Sequence, residues 1–145
     1  MPNLVDIQAL MADADPSVAI PAAYMLANYY GIYNDEYNML LMKRQEAETS
    51  LFDAERDPAG VDHAEVLHLK GLILGIESRM KVQDGKMLAF RASGLSIVAP
   101  DAAMMAKVRD LCAQVSANAT RGAGIDEIIL GLGQIAGIVN QVQSG

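Results

Sequence analysis

The chain has 145 residues, 52% of them apolar and 20% charged, with a net charge of −7. That apolar content excludes wholesale disorder, and the length suffices for one buried core. No basic stripe offsets the acidity, which excludes the clustered Lys and Arg of a nucleic-acid interface and disfavours anionic membranes.

The first predicted element is a short amphipathic segment, residues 4–13, with Leu4, Ile7, Leu10 and Met11 on one side. Asp13-Ala14-Asp15-Pro16 stops it, because a residue before proline avoids the helical region. The N-terminal Met1-Pro2-Asn3-Leu4-Val5-Asp6 has neither a basic region nor an uninterrupted apolar run, so no signal peptide is read there. The expectation is a soluble cytoplasmic protein, with signal-less export left open.

A long helix is predicted to start near Ser17 or Pro21, with Ser17 as its N-cap. Its apolar stripe runs Leu26, Tyr30, Tyr33, Tyr37, Leu40, Ala47, Leu51 and Ala54, with Arg44 the one polar break. Spacings of three and four keep such a stripe on one side of a helix and suit coiled-coil packing. Gly31 and Asn34-Asp35 are turn signals, yet the stripe keeps its phase across them. That favours one helix to Arg56 over two.

All the tyrosines, Tyr24, Tyr29, Tyr30, Tyr33 and Tyr37, fall in this segment. Tyr30, Tyr33 and Tyr37 follow the stripe, whereas Tyr24 and Tyr29 are expected to point elsewhere. Aromatics with one apolar and one wet side are favoured at interfaces, so the cluster is a candidate surface for a partner. The stretch Tyr24-Met25-Leu26-Ala27-Asn28-Tyr29-Tyr30 through Asp35-Glu36-Tyr37 resembles the first helix and turn of a tetratricopeptide repeat, and Asp57-Pro58 is similar to its end. The small and aromatic positions of a second helix do not match, and no second copy returns at the expected period, so the family is not assigned.

Asp57-Pro58-Ala59-Gly60 is the predicted hairpin turn, since Pro58 cannot continue a helix and Gly60 permits left-handed geometry. Asp62 sits three residues before Glu65, as in a capping box. The next helix runs from His63 to at least Lys81. Val66, Leu69, Ile73, Ile76, Met80, Met87 and Phe90 are in phase, and Gln83 is the one gap. Folding the chain about residue 59 sets Glu48 near Lys70 and Glu36 near Lys81. Glu65-Val66-Leu67-His68 matches the Glu-x-x-His element of di-iron bundles, but a second such element is missing. His63-Ala64-Glu65 is similar to the His-x-Glu of zinc deaminases, but no Cys-x-x-Cys follows. No metal, cofactor or catalytic residue is therefore assigned, and no enzymatic activity.

Ser93-Gly94 and Ala99-Pro100 end that region. Asp101 then caps a helix with Met105, Val108, Cys112, Val115 and Ala119 in phase. Cys112, the only cysteine, excludes an internal disulfide and reads as a buried, inert thiol. After a loop at 118–124, a last helix carries Ile125, Ile128, Leu132, Ile135, Val139 and Val142, with Asp126 and Glu127 at its positive end. The uncharged stretch from Ile128 to Val142 reads as too short to span a bilayer. Gly71 with Gly75 and Gly133 with Gly137 form two small-x-x-x-small pairs. Glycine within a helix costs roughly 1 kcal/mol against alanine, so the pairs read either as close helix approach, inside the bundle or between subunits, or as glycine tolerated in a well-packed core.

The predicted fold is all-α, a single helical domain over residues 1–145. It is an antiparallel helical bundle of one long coiled-coil-like hairpin (17–98, turn at 57–60) and one shorter C-terminal hairpin (100–145), after the segment 1–16. In style the acidic, hairpin-built chain resembles secretion chaperones and helical appendage subunits. The expected function is a non-enzymatic protein–protein interaction or assembly protein: a structural subunit, adaptor or chaperone, such as one of a secretion or phage-type apparatus. Its expected partner is a second copy of itself or another helical protein. The alternative is a Met- and Leu-lined bundle that binds a small apolar ligand.

Overall fold

A computed structural model of the chain describes residues 1–144. α1 (Leu4–Met11) opens on a capping box, in which the Asn3 side chain accepts from the Asp6 N–H and the Asp6 carboxylate from the Asn3 N–H. Its Ile7 is wholly buried.

α2 (Pro16–Glu55) is one unbroken helix of 40 residues, about 60 Å long. Gly31 and Asn34-Asp35 do not interrupt it, as the phase of the stripe implies. Its cap is Asp15 rather than Ser17. The Asp15 carboxylate accepts from the Ser17 hydroxyl at 2.8 Å and the Ser17 N–H at 2.9 Å, and these bonds hold its pKa below the usual range. The helix starts earlier than predicted, so Pro21 lies beyond its first turn.

The turn after α2 follows the sequence closely. Gly60 has φ of +115°, and the Asp57 carboxylate accepts from the Ala59 N–H. α3 (His63–Arg91) then runs back along α2 and passes Asp84-Gly85 without a break. Val66, Leu69, Ile76, Met80, Met87 and Phe90 are buried as predicted, and Leu72 takes the place expected for Ile73.

α2 differs more from its predicted stripe. Its buried set is Ala22, Tyr29, Ile32, Tyr33, Glu36, Met39, Leu40, Lys43 and Ala47. Leu26, Tyr30, Tyr37, Leu51 and Ala54 are only partly buried. The predicted stripe assumes one partner, whereas α1, α3, α4 and α5 all pack on α2. More than one side of the helix is therefore covered, and two charged residues fall inside the covered arc.

α4 (Ala102–Ala117) is capped by Asp101, whose carboxylate accepts from the Met104 N–H at 2.7 Å. Its far end is capped by the wholly buried Lys43 of α2. The Lys43 ammonium donates to the Ser116 and Asn118 carbonyls at 3.3 and 2.8 Å, and to the Glu46 carboxylate at 2.8 Å. A lysine there satisfies orphan carbonyls and suits the negative end of the helix. Cys112 is half-buried rather than buried; burial first, then the Asp35 and Glu36 charges, pushes its thiol up to about 11. Ala119, expected in phase on α4, lies past its end and is exposed, because the helix stops at Ala117.

α5 (Ala123–Val142) packs on α4 and buries all of Ile125, Ile128, Leu132, Ile135, Val139 and Val142. At 20 residues it is, by length and composition alone, long and apolar enough to cross a bilayer, which corrects the shorter span read from the sequence. In the fold, that apolar stripe is spent on the bundle. The extended segment before α4 ties both ends of the chain together. The Ile97 N–H donates to the Pro2 carbonyl and the Val98 N–H to the Val142 carbonyl, each at 2.8 Å.

Candidate functional site

α3 and α5 lie side by side and run in the same direction, held at both ends by polar contacts. At their N-terminal ends the Gly122 N–H donates to Glu65 at 2.9 Å, and His68 Nε2 lies 2.8 Å from Asp126 Oδ1. Glu65 thus does not complete the predicted capping box; Asp62 alone caps α3, accepting from the Ala64 and Glu65 N–H groups. The Glu-x-x-His element is committed to this helix–helix contact. Among the described residues no group of three or more His, Cys, Asp or Glu side chains is placed to hold a metal ion.

The C-terminal contact is buried. The Arg79 guanidinium donates twice to the Glu36 carboxylate, at 2.8 and 2.9 Å, and once to Asn140 at 2.9 Å. Gln83 Nε2 donates to the same Glu36 at 2.6 Å, and the Gln143 amide donates to Gln83 Oε1 at 2.8 Å. Gln143 also reaches the Tyr29 hydroxyl at 3.2 Å, and the Tyr33 hydroxyl donates to the Gln83 carbonyl at 3.2 Å. Glu36, Gln83 and Gln143 are all nearly inaccessible, and this network satisfies each of them. Burial and the neighbouring Arg79 charge lower the pKa of Lys86, which donates to Asn140 at 3.0 Å. The pairs expected from folding about residue 59 do not form. Glu36 takes Arg79, which faces α2 and α5, while Lys81 faces solvent; Glu48 reaches only Arg44, at 3.9 Å.

Between these two ends the helices leave a half-open apolar groove of about 240 Å³. Leu40 of α2, Leu72 and Ile76 of α3 and Leu132 of α5 line its depth; Gly71 and Gly75 form one wall, and Ile129, Gly133 and Ala136 the other. From His68 to Arg79 it spans three turns, about 16 Å.

Both predicted glycine pairs therefore meet at one place, with Gly137 one turn beyond Gly133. A Cβ built on Gly71, Gly75, Gly133 or Gly137 would meet nothing within 4 Å. These glycines do not serve close approach inside the bundle. The glycines that do are Gly131, where a Cβ would collide with Val115, and Gly124, where it would collide with the Ala119 backbone. Neither carried a pair signature on which to single it out.

The tyrosines do not form one surface. Tyr29, expected to point away from the core, is wholly buried, its ring 4.6 Å from that of Phe90; α2 is covered on that side too. Burial raises its pKa. Tyr33 is buried, and desolvation, with the Asp84 charge adding to it, pushes its pKa up to about 12. Tyr37 is half-buried, stacks on Tyr33 and donates to Asp84 at 2.7 Å, a bond that raises its pKa. Tyr30 packs edge-on against Phe90, and only Tyr24, 64% exposed, stands clear.

Sequence reasoning missed Glu36, Lys43 and Gln143, for it places charged and amide side chains outside a core. The one visible signal was Gln83, a polar residue in phase on an apolar stripe. No known protein family, no curated protein and no solved structure matches the chain.

Proposed function

We propose that this protein is a non-enzymatic helical interaction protein, an adaptor, chaperone or assembly subunit, and that its α3–α5 groove receives an apolar helix of a partner protein. The observation that carries this reading is the set of three glycines at the groove, Gly71, Gly75 and Gly133, whose missing side chains no part of the chain exploits. Together they cost the free chain about 3 kcal/mol of helix propensity. A backbone that must be approached closely from outside accounts for that cost. Three turns of open, aliphatic wall match one face of a short helix. A volume of about 240 Å³ falls below the roughly 300–1,000 Å³ of small-molecule pockets, so an apolar ligand fits less well.

The test places a photo-crosslinking amino acid at Ala136 on the groove, with Lys107 on α4 as control, in the cells that make the protein. The expected result is a polypeptide adduct at position 136 alone. It should map to a helix-forming segment that binds as a synthetic peptide and should be abolished by Gly133→Leu. In the free chain Gly75→Ala and Gly133→Ala should each add about 1 kcal/mol of stability. Adducts equal at both positions, an adduct only to the protein's own chain, or a retained small molecule without a polypeptide adduct would overturn the reading.

A further inference from the structure

The side of α3 turned away from the bundle carries a second heptad pattern. Leu67, Leu74, Lys81 and Leu88 recur at one heptad position, and Gly71, Ser78, Gly85 and Ala92 at another, four residues later. Every one of these residues is exposed, and Leu67, Leu74 and Leu88 are each about two thirds exposed. Large side chains alternating with very small ones at spacings of four and three make knobs and holes on a single face. Nothing within the chain fills it.

We infer that a second copy of this chain docks antiparallel along this face, about a two-fold axis at the level of Arg79 and Met80. Two observations commit the face to that occupant. First, it is complementary to itself, as an isologous interface must be. In this arrangement Leu67 meets Ala92 of the second copy, Gly71 meets Leu88, Leu74 meets Gly85 and Ser78 meets Lys81. Each layer then sets a large side chain against a small one. A parallel pairing would instead set leucine on leucine and leave voids at the glycine layers. Second, the charges agree. Lys81 arrives beside Glu77 of the second copy, twice by symmetry, and among the described residues neither has an ion-pair partner within its own chain. Gly71 is shared with one wall of the α3–α5 groove, whose other α3 residues, Leu72, Gly75, Ile76 and Arg79, lie on another side of the helix.

Sedimentation equilibrium of the full chain should show a dimer at high micromolar concentration. Leu74→Glu should raise the dissociation constant on the order of 100-fold, about tenfold for each of the two symmetry-related layers, with an unchanged circular dichroism spectrum. In a Cys112→Ser background, mixing Ser78→Cys chains with Lys81→Cys chains under mild oxidation should give the mixed disulfide dimer in preference to either self-paired one. A monomeric wild type, a dimer that Leu74→Glu leaves intact, or preferential self-pairing of Ser78→Cys would each overturn the inference. None of these results bears on the groove, whose test reads a foreign polypeptide at Ala136.

Discussion

The two ends of the α3–α5 pairing are held by unlike means, and only the C-terminal one also engages α2. At the N-terminal end, His68 and Asp126 meet with side chains 36% and 72% exposed. At the C-terminal end, Arg79 and Glu36 meet at 16% and 1%, within a network that also engages Gln83 and Gln143. Both contacts measure 2.8 Å, so distance does not separate them. Solvent does. Water competes for an exposed polar or charged pair and leaves it worth roughly 0–1 kcal/mol. A buried pair contributes little compared with an apolar replacement, yet removing one member strands the other. The C-terminal end therefore fixes how three helices meet, and the N-terminal end only assists.

The largest expected effect comes from breaking the buried end. Glu36→Ala leaves Arg79 and the Gln83 amide without their shared acceptor and should lose about 3–5 kcal/mol. That corresponds to a fall in Tm on the order of 10 °C. Chemical denaturation followed by circular dichroism measures it; a loss below about 1 kcal/mol would show that water reaches Arg79 and that the two ends are alike.

Raising the pH sharpens the contrast next. Tyr33, which donates to the Gln83 carbonyl at this end, has its pKa raised from 10 to about 12 in the folded chain. A folded pKa above the unfolded one means that the unfolded chain releases its proton first as pH rises. The stabilisation is complete below pH 10 and is lost between 10 and about 12, amounting to about 2–3 kcal/mol. Cys112, raised from 9 to about 11, adds in the same direction from pH 9 upward. Denaturation midpoints across this range should fall, and Tyr33→Phe should flatten the part above pH 10. An equal fall in the Phe variant would remove Tyr33 as its cause.

The smallest effect belongs to the exposed end. His68→Ala should change stability by less than about 1 kcal/mol, as urea denaturation of the two proteins side by side would read. A loss as large as that of Glu36→Ala, measured side by side, would mean that the ends of the pairing are equivalent.

Elements that meet their neighbours with one stripe were legible in the sequence. α5 packs on α2, α3 and α4, and all six residues of its predicted stripe are buried where periodicity places them. α3 is nearly as faithful, with Leu72 in place of Ile73. The turn at 57–60 and the caps Asp62 and Asp101 were equally plain, because proline, glycine and a carboxylate before a helix act through local backbone geometry. The glycine pairs were visible too, though not which pairs of surfaces they would bring together.

What the sequence determined by itself was thus the helices, the caps Asp62 and Asp101 and the hairpin at 57–60, all of which follow from short-range periodicity and stereochemistry. The tertiary structure alone decided that α2 lies at the centre. It thereby decided that Tyr29 turns inward, that Lys43 caps α4, and that Glu36, Gln83 and Gln143 share one buried network. It also decided that α3 and α5 run parallel and part between their ends, leaving Gly71, Gly75 and Gly133 on one groove. A period of three and four residues says that a side is covered; how many sides, and by which helix, depends on contacts between residues far apart in the chain.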